Sequence, residues 1–299
     1  MDTHAQVPLD AAPGTPPRLR VGLIGAGRAG AVIARVLERV GHPCVATTAI
    51  SAGSRERAAR LLPSATITDP AGVCAAADLI IVATPDDVIE DVVRGLVAFG
   101  AITSRHIVAH LSGRLGCDVL EPARAAGALV FAFHPAMTLT GASEDVFRLE
   151  GCPFGITADA AALPVAQALA YEINAVPVVI AAADRVLYHA ALAHASNHLV
   201  TLLAQSMDIA RAAGIDNPGD YLRAIVEATV NNALRSGDAA LTGPIARGDL
   251  GTVGAHLDAL TRRLPHDVVA AYRALAVATM SRRGQQYTQS DLDAIGAAE

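Results

Sequence analysis

Residues 19–40 read LRVGLIGAGRAGAVIARVLERV, and this stretch decides the fold. Its apolar residues up to Ile24 are typical of a buried strand, and the part from Arg28 to Val40 has the length of a helix. Between them, Gly25-Ala26-Gly27-Arg28-Ala29-Gly30 has GxGxxG spacing, which is informative in this strand-turn-helix context. The first glycine allows a tight turn, the second lets backbone approach a pyrophosphate, and the third lets the helix pack on the strand. We therefore predict a dinucleotide site at the amino end of the helix. The alternative is a glycine-rich turn that binds nothing.

Short apolar runs alternate with helical stretches as far as residue 182, and only helices are predicted beyond it. Runs without polar alternation are typical of strands that helices cover on both faces. The alternation predicts an α/β fold with a doubly wound, mostly parallel Rossmann sheet, followed by an all-α C-terminal domain. The predicted strands are Arg20–Ile24, Val45–Ile50, Ala65–Ile67, Leu79–Ala83, Ile107–His110, Leu129–Phe133, Phe154–Thr157 and Val176–Ile180. Beyond the first helix, the predicted helices are Asp86–Phe99, Ala160–Ile173, Asp184–Ala213, Tyr221–Arg235, Leu250–Leu264 and His266–Arg283. The predicted divisions are a disordered leader (1–18), an NAD(P)-binding domain (19–183), a helical domain (184–285) and a C-terminal tail (286–299).

The composition excludes several classes of protein. The chain has 299 residues, enough for two domains, with 17% charged residues and a formal net charge of -6. A nucleic-acid-binding protein needs clustered positive charge, so we expect no nucleic-acid partner. All 23 basic residues are arginine. This excludes a lysine Schiff base, a lysine general acid and a lysine-containing phosphate loop.

Cysteine spacing and the amino terminus indicate where the protein acts. The four cysteines lie far apart with no CxxC pair, which predicts buried free thiols in a reducing cytoplasm. The first 17 residues have acidic side chains where a signal peptide has basic ones, and no run of 18 apolar residues occurs. We expect a cytoplasmic protein that enters no membrane and holds no metal.

The residues after two predicted strands indicate which dinucleotide fits. An NAD site has an Asp or Glu after its second strand, whereas this chain has Ser51, Ser54 and Arg55. Hydroxyls and a guanidinium suit a 2′-phosphate, so we predict NADP, with NAD as a possibility; the alternative is an Arg55 that faces water. Ala83-Thr84-Pro85 ends the fourth strand, where the sheet faces the cofactor. The other role for this segment is capping of the next helix by Thr84 or Asp86, and the two roles are compatible.

Two later strand ends predict the reacting end of the site. Ser112 and Gly113 follow the fifth strand and His134 follows the sixth, and loops at carboxyl strand ends form the ligand crevice of an open α/β sheet. We expect these three residues to line the nicotinamide or the substrate. His134 is equally compatible with a loop anchor, and for His110, inside its strand, the anchor is preferred.

The long helix predicted after residue 183 supplies further candidates. A 3.6-residue period places His189, Ala193 and Asn197 on one stripe, as a proton source and an amide that can hold a carbonyl oxygen. The alternative is two satisfied polar groups in a helix interface. The pair His194 and His198 lacks an accompanying carboxylate or cysteine at ligand spacing, so metal binding is not expected.

Residues 240–249, ALTGPIARGD, are dense in turn-forming and charged residues. Asp249 is a suitable N-cap for the helix that carries His256, and Thr242 and Arg247 are available to a substrate carboxylate or phosphate. The alternative is an interhelical linker with Arg247 as a surface charge.

Taken with these motifs, the stretch from Leu19 to Arg283 resembles the Rossmann-like oxidoreductases that carry a helical C-terminal domain of unassigned function. They are distant relatives of ketopantoate reductase, pyrroline-5-carboxylate reductase and the 6-phosphogluconate dehydrogenase-like enzymes. The resemblance implies an NAD(P)-dependent oxidoreductase with its active site between the domains, and a homodimer formed through the helical domain. Related enzymes use a lysine on the interdomain helix where this chain has Ala193, so His189 is the expected substitute.

The resulting hypothesis is hydride transfer between NADP(H) and a small carbonyl or imine acid, with ketopantoate reductase as the nearest analogy. His189 donates the proton with His256 in reserve, Asn197 holds the developing oxyanion, and Arg247 pairs with a substrate carboxylate. Two alternatives remain open. One is a prephenate-dehydrogenase-like or imine-reducing activity, and the other is a regulatory dimer that binds NADP(H) without catalysis.

Overall fold

The computed structural model describes residues 18–283 and divides the chain into two compact units, Met1–His194 and Ala195–Glu299. Residues 184–194, which we assigned to the helical domain, therefore belong to the first unit. The predicted leader, apart from Arg18, and the predicted tail lie outside the described residues.

The first unit is built on an eight-stranded sheet with the order β3-β2-β1-β4-β5-β6-β7-β8. Neighbouring strands are parallel except β6 and β7, which are antiparallel. The first six strands follow the order of a dinucleotide-binding Rossmann sheet, which confirms the predicted fold class. The strands are β1 (Val21–Ile24), β2 (Cys44–Thr47), β3 (Thr66–Ile67), β4 (Leu79–Val82), β5 (Ile107–His110), β6 (Leu129–Pro135), β7 (Pro153–Ala158) and β8 (Val176–Val179).

Helices cover both faces of this sheet, since successive strand residues pack into two different cores. Leu23 and Ile81 pack into one core with α1, α2, α6 and α7, while Ile80 and Val82 pack into the other with α3, α4 and α5. Apolar side chains on both faces explain why the strands lack polar alternation. The four cysteines are buried and free, as predicted. The helices of this unit are α1 (Arg28–Arg39), α2 (Ala52–Leu61), α3 (Pro70–Ala76), α4 (Ile89–Ala98), α5 (Glu121–Ala125), α6 (Asp145–Arg148), α7 (Leu163–Glu172) and α8 (Arg185–Ala193).

The second unit is helical, with a small core of its own. That core includes Val253, Leu257 and Leu260 from one helix and Val269 and Met280 from another. The helix that we predicted over 184–213 is interrupted, because α8 ends at Ala193 and a π-helical turn occupies His194–His198. The helices of this unit are α9 (Leu199–Ala212), α10 (Pro218–Ser236), α11 (Pro244–Arg247), α12 (Leu250–Arg263) and α13 (His266–Arg282).

Helix α10 has almost no buried face. Pro218 is its single buried residue, while Tyr221, Ile225 and Leu234 are 68%, 65% and 85% exposed. Apolar side chains normally form the face that a helix buries, so this surface lacks a covering partner within the described residues. Across residues 18–283, no helix combines the length and the apolar character needed to cross a bilayer.

Candidate functional site

The glycine loop between β1 and α1 has the geometry that a dinucleotide requires. Gly25 has φ +101°, and a Cβ there would lie 2.7 Å from the Ala83 carbonyl oxygen. A Cβ on Gly30 would lie 2.6 Å from the Gly25 carbonyl oxygen and 3.0 Å from Leu23 on β1. Gly27 differs, since a Cβ there would meet nothing closer than 3.8 Å. Gly25 and Gly30 are thus required by the fold, whereas the space in front of Gly27 is open to a ligand.

Backbone and hydroxyl contacts hold this loop in place. The Gly25 amide donates to Thr48 Oγ1 at 2.8 Å, and the Ala26 amide donates to the Thr48 carbonyl at 3.0 Å. Gly27 is the N-cap of α1, and neither a side-chain cap nor an acidic residue occurs in the first turn of α1, which includes Arg28 and Ala29. The amino end of α1 therefore keeps its amide donors and its positive dipole for an anion.

Thr84, directly after β4, carries a buried hydroxyl without a partner. Thr84 Oγ1 is buried and makes no hydrogen bond within the described residues. The following 3₁₀ turn starts at Asp86, with Pro85 as its N-cap and no side-chain cap. The predicted alternative, in which Thr84 or Asp86 caps this helix, is therefore wrong. Because an unpaired buried hydroxyl costs free energy, Thr84 Oγ1 beside the glycine loop is suited to a polar ligand.

The segment after β2 forms the amino end of α2. Ser51 is the N-cap, its Oγ accepting from the Ser54 amide at 3.1 Å, and Ser54 Oγ donates to the Ser51 carbonyl at 2.8 Å. Arg55 Nε donates to the Ala49 carbonyl at 3.3 Å. This bond turns the guanidinium back toward β2, and its two terminal nitrogens have no partner within residues 18–283. The arrangement supplies a helix amino end, hydroxyls and a cation at one place.

Ser112 organises the loop after β5. Its hydroxyl donates to Asp86 Oδ2 at 2.8 Å and accepts from the Leu115 amide at 3.2 Å. Asp86 Oδ2 also accepts from Arg114 Nε at 2.9 Å. The Ser112 hydroxyl therefore joins the loop after β5 to the loop after β4, and its predicted substrate contact stays a prediction.

His110 anchors the same loop, as preferred from the sequence. Its Nδ1 accepts from the Ser112 amide at 3.1 Å, so the ring proton lies on Nε2, which donates to the Gly116 carbonyl at 2.8 Å. Burial is the main reason that the pKa of His110 falls to about 4. This imidazole is neutral at pH 7, and both of its ring nitrogens are hydrogen-bonded to the backbone.

His134, Tyr188 and His189 meet beside Gly113. His134 Nδ1 lies 3.0 Å from Tyr188 Oη, and the His134 and His189 rings stand edge to face with centroids 5.9 Å apart. A Cβ on Gly113 would lie 2.4 Å from His189 Cδ2 and 3.0 Å from His134 Nε2, so only glycine fits. The structure thus brings three predicted residues, Gly113, His134 and His189, into one cluster.

The electrostatics of this cluster favour neutral side chains. Burial, followed by the positive charge of Arg185, lowers the pKa of His134 to about 4. Burial also raises the pKa of Tyr188 above its ordinary value. The Tyr188 hydroxyl and the His134 imidazole are therefore both neutral at pH 7, and they share a hydrogen bond between Tyr188 Oη and His134 Nδ1. The cluster offers hydroxyl and imidazole groups that can pass a proton.

Sequence reasoning missed Asp86, Tyr188 and Arg185 as parts of this site. Tyr188 stands next to His189 in the sequence, so adjacency was the available signal. The sequence position of Asp86, directly before a helix, predicts only a helix cap. Arg185 follows Asp184 at the start of α8, where a charged residue ordinarily faces water.

The remaining candidates lie in the second unit. Asp249 caps α12 as predicted, accepting from the Thr252 amide at 3.1 Å, and His256 Nδ1 lies 2.8 Å from Tyr272 Oη. Arg247 is exposed at the end of α11. The stripe predicted for Asn197 assumed an uninterrupted 3.6-residue period, which the π-helical turn breaks. The roles of Asn197, Thr242, Arg247 and His256 stay predictions. Among the described residues, no three His, Cys, Asp or Glu side chains are grouped to hold a metal ion.

Fold and site define a Rossmann-type α/β protein with an appended helical unit. Residues 6–135 match the family described as a Rossmann-like domain, and residues 152–279 match a domain of unknown function, DUF2520. The chain thus combines a Rossmann-like domain with a DUF2520 domain. The second match begins before β7, so it includes the last two strands of the sheet as well as the helical unit.

Solved structures share this fold at low sequence identity. A Bacteroides fragilis protein provisionally described as an NADP oxidoreductase is 20% identical, with a TM-score of 0.75 over 88% of this chain and 98% of its own. An imine reductase from Pseudomonas sp. is 18% identical, with a TM-score of 0.61 over 93% and 100%. The NADP-bound pyrroline carboxylate reductase of Plasmodium falciparum is 11% identical, with a TM-score of 0.56 over 89% and 98%. No curated protein matches the chain in sequence.

Proposed function

We propose that the protein is an NADP(H)-dependent oxidoreductase that acts on a small carbonyl or imine acid. The observation that carries this proposal is the glycine loop at the uncapped amino end of α1, with open space at Gly27 and the unpaired Thr84 hydroxyl beside it. The structural neighbours described as an NADP oxidoreductase, an imine reductase and an NADP-bound reductase support it.

The residues fit a dinucleotide. The first-turn amides of α1 would bind the pyrophosphate, and the Thr84 hydroxyl would bind a polar group of the coenzyme. Ser51, Ser54 and Arg55 would bind a 2′-phosphate, since they supply hydroxyls and a positive charge where an NAD site has a carboxylate. A bound nicotinamide supplies or accepts a hydride.

The chain's own residues would move the accompanying proton. His189 is partly exposed and lies against Gly113, so it can reach a ligand in the crevice and donate a proton to the reduced oxygen or nitrogen. The Tyr188 hydroxyl, held by neutral His134, is a second source beside it. Asn197 and Arg247 remain the proposed holders of a developing oxyanion and of a substrate carboxylate, with His256 in reserve and Thr242 at the substrate.

The substrate bond that is reduced is either a C=O or a C=N bond. Ketopantoate-like specificity rests on analogy of fold, as does a prephenate-dehydrogenase-like activity. Imine reduction gains support from the Pseudomonas sp. neighbour, which spans 93% of this chain. A regulatory dimer that binds NADP(H) without turnover is the second candidate, and the observation that favours it is Ala193 in place of a lysine.

The test is NADPH oxidation by the purified chain with panels of 2-oxo acids and cyclic imines. His189→Ala should lower kcat at least about 100-fold, the low end for the loss of a general acid, and leave NADPH affinity nearly unchanged. His266→Ala, which removes an exposed histidine of α13, is the matched control and should keep wild-type kcat. An unchanged kcat in His189→Ala would remove His189 from the mechanism. Tight NADPH binding without turnover on any substrate would favour the regulatory dimer.

We also propose that the chain forms a homodimer through its helical unit. The support is α10, whose exposed Tyr221, Ile225 and Leu234 need a covering surface. Sedimentation of the wild type should give twice the chain mass. Ile225→Asp combined with Leu234→Asp should give the monomer, while Phe99→Asp, at an exposed apolar site of the first unit, should stay dimeric. A monomeric wild type would contradict the proposal.

A further inference from the structure

Arg185, the first residue of α8, is a fully buried cation inside the site. Its exposed fraction is 0%, and its guanidinium donates to the Ser112 carbonyl, to the Gly155 carbonyl at 3.1 Å and toward Thr157 Oγ1 at 3.5 Å. One side chain therefore joins three segments, namely the loop after β5, strand β7 and helix α8. The Nε atom of Arg185 has no hydrogen-bond partner among the described residues.

No carboxylate neutralises this charge. None of the ion pairs within residues 18–283 includes Arg185, and Asp86, the acidic group that acts on it, is held by Ser112 and Arg114 instead. Burying a charge that has no opposite charge beside it is expensive. Packing alone therefore gives no reason for an arginine here.

The surroundings of Arg185 supply that reason. Its Cζ lies 5.5 Å from the centre of the Tyr188 ring, and the Ser112 carbonyl that it binds is joined directly to the Gly113 amide. Gly113 is the residue against which His134 and His189 pack. A shift of this loop would move the surface on which both imidazoles rest.

We propose that Arg185 is a positioning residue of the reacting end. It fastens the Ser112–Gly113 loop to β7 and thereby fixes the cluster of His134, Tyr188 and His189. The bidentate fork of arginine suits this task, since it reaches two carbonyls at once, which a lysine ammonium cannot do with the same geometry.

The charge of Arg185 has a second effect on the cluster. The groups acting on His134 are Arg185, His189 and His110, which disfavour its protonation, and Asp86, which favours it. Burial contributes most, and Arg185 is the largest charge effect. Arg185 therefore helps keep His134 neutral beside the Tyr188 hydroxyl. For the reaction this inference rests on the proposed function, but its readouts below need neither coenzyme nor substrate.

Two readouts on the full chain separate positioning from simple packing. Amide hydrogen exchange measures the loop at residues 110–116, and histidine-labelled NMR measures protonation of His134. Arg185→Met removes both the fork and the charge, so the loop should exchange faster and the pKa of His134 should rise by about one unit, a tenfold shift in protonation. Arg185→Lys keeps the charge and loses the fork, so only the exchange should accelerate. Should the Met variant not fold, the Lys variant decides the positioning claim alone.

The control is Arg105→Met. Arg105 also donates to backbone carbonyls, those of Cys74 and Ala77, but contacts none of the cluster. The Arg105→Met variant should leave the exchange rate of the loop and the pKa of His134 unchanged. Wild-type loop exchange in Arg185→Lys would overturn the proposal. If the wild type does not bind NADPH but the loop exchanges in the Arg185 variants as expected, the proposed function is refuted and the positioning role stands.

Discussion

Replacing Gly27 and Gly30 separately distinguishes a loop built for a ligand from one built for packing. A Cβ on Gly30 would lie 2.6 Å from the Gly25 carbonyl oxygen and 2.7 Å from the Ala83 Cβ. Overpacking of this kind costs about 1–3 kcal/mol. For a unit of this size, Gly30→Ala should lower Tm by roughly 2–12 °C.

Gly27→Ala should behave in the opposite way. At φ -73° alanine is allowed, and the nearest atom to its Cβ would be 3.8 Å away. Stability should change by less than about 1 kcal/mol. The added methyl fills the space that the pyrophosphate needs, so NADPH affinity should fall at least about tenfold, or about 1.4 kcal/mol.

Thermal unfolding by circular dichroism and NADPH titration by calorimetry measure both effects on the same samples. Gly30→Ala is the matched comparison, because it adds the same methyl to the same helix. Full NADPH affinity in Gly27→Ala would refute the assigned ligand position, and wild-type Tm in Gly30→Ala would refute the packing argument.

Three further predictions concern the coenzyme and pH. Arg55→Asp should weaken NADPH binding by roughly 10–100-fold, because a charge-assisted contact is lost, and should leave NADH affinity equal or higher. Competition titrations measure both affinities, and an unchanged preference for NADPH would exclude Arg55 from the 2′-phosphate site. Thr84→Val removes a buried unpaired hydroxyl, so the free energy of unfolding should rise by about 1 kcal/mol while NADPH affinity falls; a loss of stability in urea melts would show that the hydroxyl has a partner. His110 and His134, with pKa values of about 4 in the folded state, titrate near 6.5 when unfolded. Their contribution to the free energy of unfolding is complete above pH 6.5. It is lost as the pH falls toward 4, by roughly 1.4 kcal/mol per histidine per pH unit. Urea melts from pH 7 to 5 measure this slope, and a smaller slope in His110→Asn would assign its share.

The glycine loop could be predicted in detail because its requirements are local. A positive φ at Gly25 and close packing at Gly30 follow from the spacing itself, given a strand before it and a helix after it. The buried strands were visible for the same reason, as apolar runs. The antiparallel direction of β7 was not visible, because it depends on how the chain returns through α6 rather than on the strand's own residues.

The reacting end was only partly predictable because its contacts join distant segments. His134 and His189 were found as histidines near strand and helix ends. Arg185 was missed since its acceptors, among them Ser112 and Gly155, lie far away in sequence. The π-helical turn was missed too, as no residue of His194–His198 signals a change of helical period.

Calorimetric titration of the purified full chain with NADPH and with NADH tests the central claim most directly. We expect one NADPH per chain, with an affinity above that for NADH. No heat and no binding with either coenzyme would contradict the account.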